Sequence, residues 1–149
     1  MVAAVWTYYG EYGMGRSLIG FVFSDLREDM VVIDARVNLY HNPTSNHIGH
    51  STIGGENSGM IFRITRPWDE HLVNWVNQPP TTNTNAISIP APENDTAYFL
   101  NVDITPIIKD TIRHPLTSDG FMIKLFNEHP LCRSLTFASS NHPDGSLQP

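Results

Sequence analysis

Four groups of residues in this 149-residue chain have types and spacings that could do chemistry. His41, His47 and His50 in "HNPTSNHIGH" offer imidazole ligands to a metal. Their spacing fits no zinc pattern and no carboxylate joins them before Glu56, so the alternative is an ordinary polar loop. Asp69 and Glu70 form an adjacent carboxylate pair, but glycosidase acids face each other across a cleft. Neighbours on a strand also point to opposite faces. Glu70 is therefore expected to accept hydrogen bonds from loop backbone rather than to act as an acid or base. Asp25, Glu28 and Asp29, with nearby Asn side chains, supply hard oxygens for calcium without the EF-hand spacing that would fix them.

The fourth group is aromatic. Tyr8, Tyr9 and Tyr12 cluster near the start, and alternation puts Tyr40 and Phe126 on the polar faces of their strands. A pyranose offers an apolar C–H face that stacks on an exposed ring while its hydroxyls bond at the edge. The other reading is that a further layer of chain covers these rings. Left over once a core is assigned, Tyr8, Tyr9, Tyr12, Tyr40, His47 and His50 form the expected ligand-binding set. No G-x-S-x-G elbow, P-loop, H-E-x-x-H or Rossmann glycine pattern occurs, so nothing anchors an enzyme.

Positioning such groups falls to strands. Hydrophobic residues are 40% and charged residues only 16% of the chain, with Asn, Thr, Ser, Gly and Pro filling the difference, a balance that favours strands and turns. Net charge is −6 and the nine Lys and Arg form no basic stripe, which argues against nucleic acid. Cys132 is alone, so it can close no disulfide within the chain. No stretch is long and apolar enough to insert in a membrane, and the first six residues lack the basic start of a signal peptide.

"RSLIGFVF" and "VVIDARVNLY" alternate as half-buried strands, the second with Ile33, Ala35, Val37 and Leu39 on one face. "MIFRIT", "NAISIP" and "AYFLNVDIT" continue the pattern, with Leu100, Val102 and Ile104 expected inward. "TPIIKDTIRHP" reads as a short helix with Thr105 as cap, Pro106 at the first position and Pro115 as stop. "GFMIKLF" and "CRSLTFA" follow as strands. Seven or more strands with polar turns and one short helix predict one all-β domain over residues 1–149, an antiparallel jelly-roll β-sandwich.

Several stretches together resemble the DNRLRE-domain family, a carbohydrate-binding-module-like β-sandwich of large secreted surface proteins. They are "RSLIGFVFS", "IDARVNLYHNP", "FRITRPWDEHLVNWVNQPP", "FLNVDITPIIKD", "GFMIKLFNE" and "RSLTFASSNHPDGSLQP". The family pattern W-x-E-x-x-V-x-W-x-N-Q-P falls on Trp68, Glu70, Val73, Trp75, Asn77, Gln78 and Pro79, and D-[VI]-T on Asp103, Ile104 and Thr105. The resemblance implies that Trp68 and Trp75 pack in a structural corner, mostly buried. It further implies an extracellular or cell-surface module that binds polysaccharide without catalysis, with no cofactor beyond possible calcium. The rival is a structural or adhesive subunit joined edge to edge. Measured against the family, strands are missing at both ends. A neighbouring copy or a strand-donating polypeptide is then expected to cover the edge next to Leu135 and Phe137, or next to Ile19 and Phe21. The alternative is that "AAVWTYYG" folds back to cap that edge.

Overall fold

The computed structural model describes residues 1–23, 25–46, 49–129 and 131–149. Nine strands lie among the described residues. β1 (Val2–Tyr8) and β2 (Glu11–Gly15) make a hairpin at the start of the chain. Its two-residue turn, Tyr9 and Gly10, has φ of 52° and 87°, the left-handed pair that matches strand twist. β3 (Ser17–Ile19), β4 (Arg36–Leu39), β5 (Gly59–Ile64), β6 (Thr81–Ile89) and β7 (Phe99–Asp103) lead to the helix α1 (Thr105–Arg113). β8 (Phe121–Leu125) and β9 (Arg133–Thr136) complete the set.

All pairings are antiparallel. One sheet runs β3, β8, β5, β6; the other runs β2, β1, β9, and β4 pairs with β7. A bridge between His41 and Phe137 joins the β4 side to β9. The two layers face each other across a core that draws Ala3, Val5, Leu135 and Phe137 from one side and Ile61, Ile89, Phe121, Ile123 and Leu125 from the other. Gly59 of β5 leaves room for this contact: a Cβ there would stand 2.6 Å from Leu135 Cδ1. The expectation of an all-β sandwich with one short helix holds; the pairings define the sandwich, not a jelly-roll winding.

Four local expectations need correction. The alternating run from Val31 is strand only over β4, and Ile33 is exposed. In β7 Val102 packs against the core as expected, but Phe99 is the buried residue before it, while Leu100 faces out. The cause is a bulge: Val37 pairs with Val102 but Leu39 pairs with Phe99, and Asn101 takes a φ of 57° with its N–H on Asn38 Oδ1 at 2.7 Å. One extra residue reverses the parity before it. Thr105 is not the helix cap. Its Oγ1 accepts from Ala35 N at 2.9 Å, and Asp103 Oδ1 takes the Thr105 N–H at 2.9 Å. Bonds from the hydroxyl and then the N–H of Thr105 hold the Asp103 carboxyl below its ordinary range.

The fourth correction concerns the open edge. β9 is paired along one side by the chain's own β1, from Val2 with Thr136 to Val5 with Arg133. Its other side is met by His41 and Ser51. The edge at Leu135 and Phe137 is thus covered by the chain's own "AAVWTYYG", which folds back onto it. At the other proposed edge, β3 is three residues long and ends its sheet, and Phe21 turns back to pack 5.2 Å from the ring of Phe121. Short edge strands are one way that sheets avoid unwanted pairing.

Candidate functional site

The segment from Pro67 to Pro80 links β5 to β6 and builds the wall of a cleft of about 840 Å³. Its shape comes from Asx turns. Asp69 Oδ1 accepts from His71 N at 2.8 Å, Asn77 Oδ1 from Asn74 N at 2.6 Å, and Asn74 Oδ1 from Val76 N at 2.9 Å. Asp69, not Glu70, is thus the carboxylate that shapes the turn. Glu70 lines the cleft, and its Oε1 lies 3.5 Å from Nε2 of the exposed His71.

Both tryptophans line this cleft, and here the expectation of two buried indoles fails for Trp75. Trp68 is half-buried, its Nε1 donating to Asp119 O at 2.8 Å and its ring lying against Gly20. Trp75 is 47% exposed. The Arg16 guanidinium covers part of it at 4.8 Å from the ring centroid. Arg16 in turn donates to both oxygens of Glu128, at 2.8 and 2.6 Å, and to Gln78 Oε1 at 2.9 Å. Gln78 Nε2 then donates to Trp75 O at 3.0 Å, which closes the loop of contacts. The ring is held in place by the chain's own side chains.

What the cleft offers chemically is an exposed indole beside polar groups. Glu70, Asp119 and Asn141 line it, and among the described residues no hydrogen bond is made by the side chains of Asp119 and Asn141. Trp75 escaped the sequence reading because a large apolar ring is assigned to the core by default; the polar run "NQPP" beside it was the available signal.

Of the sequence-predicted ligand residues that are described, Tyr8 and His50 line one groove, while Tyr12 and Tyr40 make contacts elsewhere. Tyr8 and Tyr12 point to opposite faces of the β1–β2 hairpin, since Thr7 pairs with Tyr12 and Tyr8 with Glu11. Tyr12 stacks on His129 at 5.6 Å and donates to Glu128 O at 2.6 Å, so it supports the Arg16 anchor from outside the cleft. Tyr9 is fully exposed at the hairpin tip. Tyr40 packs edge-on against Tyr98 at 5.5 Å. His47 lies outside the described residues.

His50 is buried, 4% exposed, between Phe99 and Phe137. Its Nδ1 accepts from Thr136 N at 3.1 Å, which leaves Nε2 to donate to Ala97 O at 3.0 Å. Both nitrogens are committed to backbone in the neutral tautomer, and burial, the largest cause, pushes its pKa down. The imidazole therefore has no lone pair to give a metal. Among the described residues no group of three His, Cys, Asp or Glu side chains converges, and Asp29 of the proposed calcium set is paired with Arg27. No helix among them is long and apolar enough to cross a membrane.

The sequence profile of carbohydrate-binding module family 96 matches residues 7–146. That span is nearly the whole chain, and the chain belongs to this family. No curated protein and no solved structure matches it.

Proposed function

From membership of a carbohydrate-binding family, we propose that the chain is a single non-catalytic module that holds polysaccharide in the Trp75 cleft. One observation carries this reading: the Trp75 indole is nearly half exposed, yet fixed by Arg16, which is itself locked to Glu128 and Gln78. A ring presented rigidly costs less to engage than one that must be ordered on binding. Glu70, Asp119 and Asn141 supply hydrogen-bonding groups at its side for sugar hydroxyls. Within the carbohydrate-binding families we assign the chain to the DNRLRE type, on the W-x-E-x-x-V-x-W-x-N-Q-P run. Modules that meet polysaccharide are typically extracellular, which supports a place in a larger secreted or cell-surface protein.

The rival reading, a building block joined by strand complementation, loses one of the two edges it named, since β9 is flanked on both sides by its own chain. Electrophoresis through gels containing embedded polysaccharides tests the binding reading. The parent should be retarded by at least one of them and Trp75→Ala released. A variant retarded like the parent would remove the cleft from the site.

A further inference from the structure

We propose that Tyr12 is a positioning residue for the Trp75 cleft, setting that ring through Glu128 and Arg16 without touching the ligand; this rests on the binding-module reading. Trp75 sits on the loop between β5 and β6, Arg16 joins β2 to β3, and Glu128 lies in the loop between β8 and β9. Nothing local in sequence fixes one against another. β2 ends the layer that runs β2, β1, β9, while β8 belongs to the other layer, so the Arg16–Glu128 pair also spans the sandwich. A carboxylate on a loop can orient a guanidinium only if the loop itself is held, because its ordering otherwise costs entropy.

Tyr12 supplies that hold. Its hydroxyl donates to Glu128 O at 2.6 Å, and among the described residues no other hydrogen bond reaches the Glu128 backbone. The Tyr12 ring stacks on the next residue, His129, at 5.6 Å between centroids and 22° between planes. One side chain thus grips two successive residues, and it does so from a strand that β1 pairs along its length. On the near side of Glu128 the loop is pinned separately, where Arg133 Nη2 donates to Asn127 O. The Glu128 peptide is left to Tyr12.

From Glu128 the contacts run inward. Its two carboxylate oxygens accept from Nε and Nη2 of Arg16, Nη1 donates to Gln78 Oε1, and the guanidinium lies over the Trp75 ring. A guanidinium held by both prongs has one orientation, and the indole beneath it shares that orientation. Tyr12 itself is exposed and is absent from the cleft lining, with its hydroxyl spent on Glu128 and its ring stacked on His129. Its influence on a ligand in the cleft is therefore indirect.

The test compares the isotope-labelled full chain with Tyr12→Phe, which keeps the stack and loses the hydroxyl, and with Tyr12→Ala, which loses both. Without ligand, the Arg16 Nε–H should exchange slowly with water in the parent, faster in Tyr12→Phe and fastest in Tyr12→Ala. The Trp75 indole N–H should shift in the same order, with the amides of β4 and α1 unmoved. Each chain is then titrated with cellohexaose, xylohexaose, mannohexaose and hexagalacturonate. A probe that binds the parent should bind Tyr12→Ala about fivefold more weakly, with Tyr12→Phe between, the size of one lost hydrogen bond. Parental Arg16 and Trp75 signals in Tyr12→Ala overturn the proposal, and weakened binding beside them would make Tyr12 a ligand contact. Shifted signals with parental affinity overturn it as well, and so do shifts that spread through β4 and α1, which would report a general loss of fold. A parent that binds no probe would count against the cleft reading instead, with the hold of Tyr12 on Trp75 still decided by the ligand-free signals.

Discussion

The Arg16 guanidinium stands 4.8 Å from the centroid of the Trp75 ring, and it is fixed there by a two-pronged bond to Glu128 reaching across from the loop after β8. Two distant segments thereby set the orientation of one exposed indole. The pair is mostly shielded from water, with side chains 22% and 17% exposed, so its geometry is worth more than that of an open surface pair.

Loosening that anchor should be visible. Glu128→Gln keeps the shape but gives up the charge and one acceptor, and is expected to cost about 1 to 2 kcal/mol of stability. Trp75 fluorescence should shift with it. Urea denaturation and emission spectra matching the parent would show that Arg16 holds the ring without Glu128.

The two tryptophans should separate in their cost. Trp68 is half-buried with its N–H bonded to Asp119 O, whereas Trp75 is nearly half exposed. Trp68→Ala is expected to cost about 3 kcal/mol, at the low end for a buried indole, and Trp75→Ala about 1 to 2 kcal/mol. Chemical denaturation of both variants reads this directly; the reverse order would mean that Trp75 is the structural corner after all.

His50 gives a pH dependence of known sign. Its pKa is lowered from 6.5 in the folded chain, so the unfolded chain binds the proton more readily. The contribution of His50 is constant above about pH 7 and stability is lost as pH falls through 6.5, down to the folded pKa. Below it, a proton on Nδ1 would face the Thr136 N–H that it now accepts. His41 and Asp95 also act on this ring, in opposite directions. Thermal melts between pH 8 and 5 should show the loss in the parent and a flatter profile in His50→Gln.

Gly49→Ala should be severe. Its φ is 66°, and a Cβ would stand 2.1 Å from the backbone oxygen of Asp95, the oxygen that receives His50 N. The expected cost is about 3 kcal/mol, combining positive φ and a backbone clash. A variant that melts with the parent would show that this loop yields freely.

Part of the fold was legible because alternation reports burial directly: Val37 and Leu39 read inward and are inward. The reading failed where one residue changed the count. Asn101 reverses the parity of β7, and no composition signal marks a bulge. The first hairpin was passed over because Tyr9 holds a left-handed turn position more often given to Asn or Gly. The site was less legible. His50 carries a residue type associated with ligands, yet its surroundings from Phe99, Thr136 and Phe137 are long-range and invisible in "HNPTSNHIGH". Trp75 erred the other way, since only the fold shows that the loop holds it at the surface.

The central claim is that the exposed indole of Trp75 is where polysaccharide is held, and calorimetric titration of the parent, Trp75→Phe and Trp75→Ala with the polysaccharide that retards the parent most tests it directly. Circular dichroism of each variant should first show the parental fold. The account predicts binding weakened about tenfold or more in Trp75→Ala and intermediate in Trp75→Phe, as expected when one stacked ring is reduced and then removed. Parental affinity in a folded Trp75→Ala protein would contradict it.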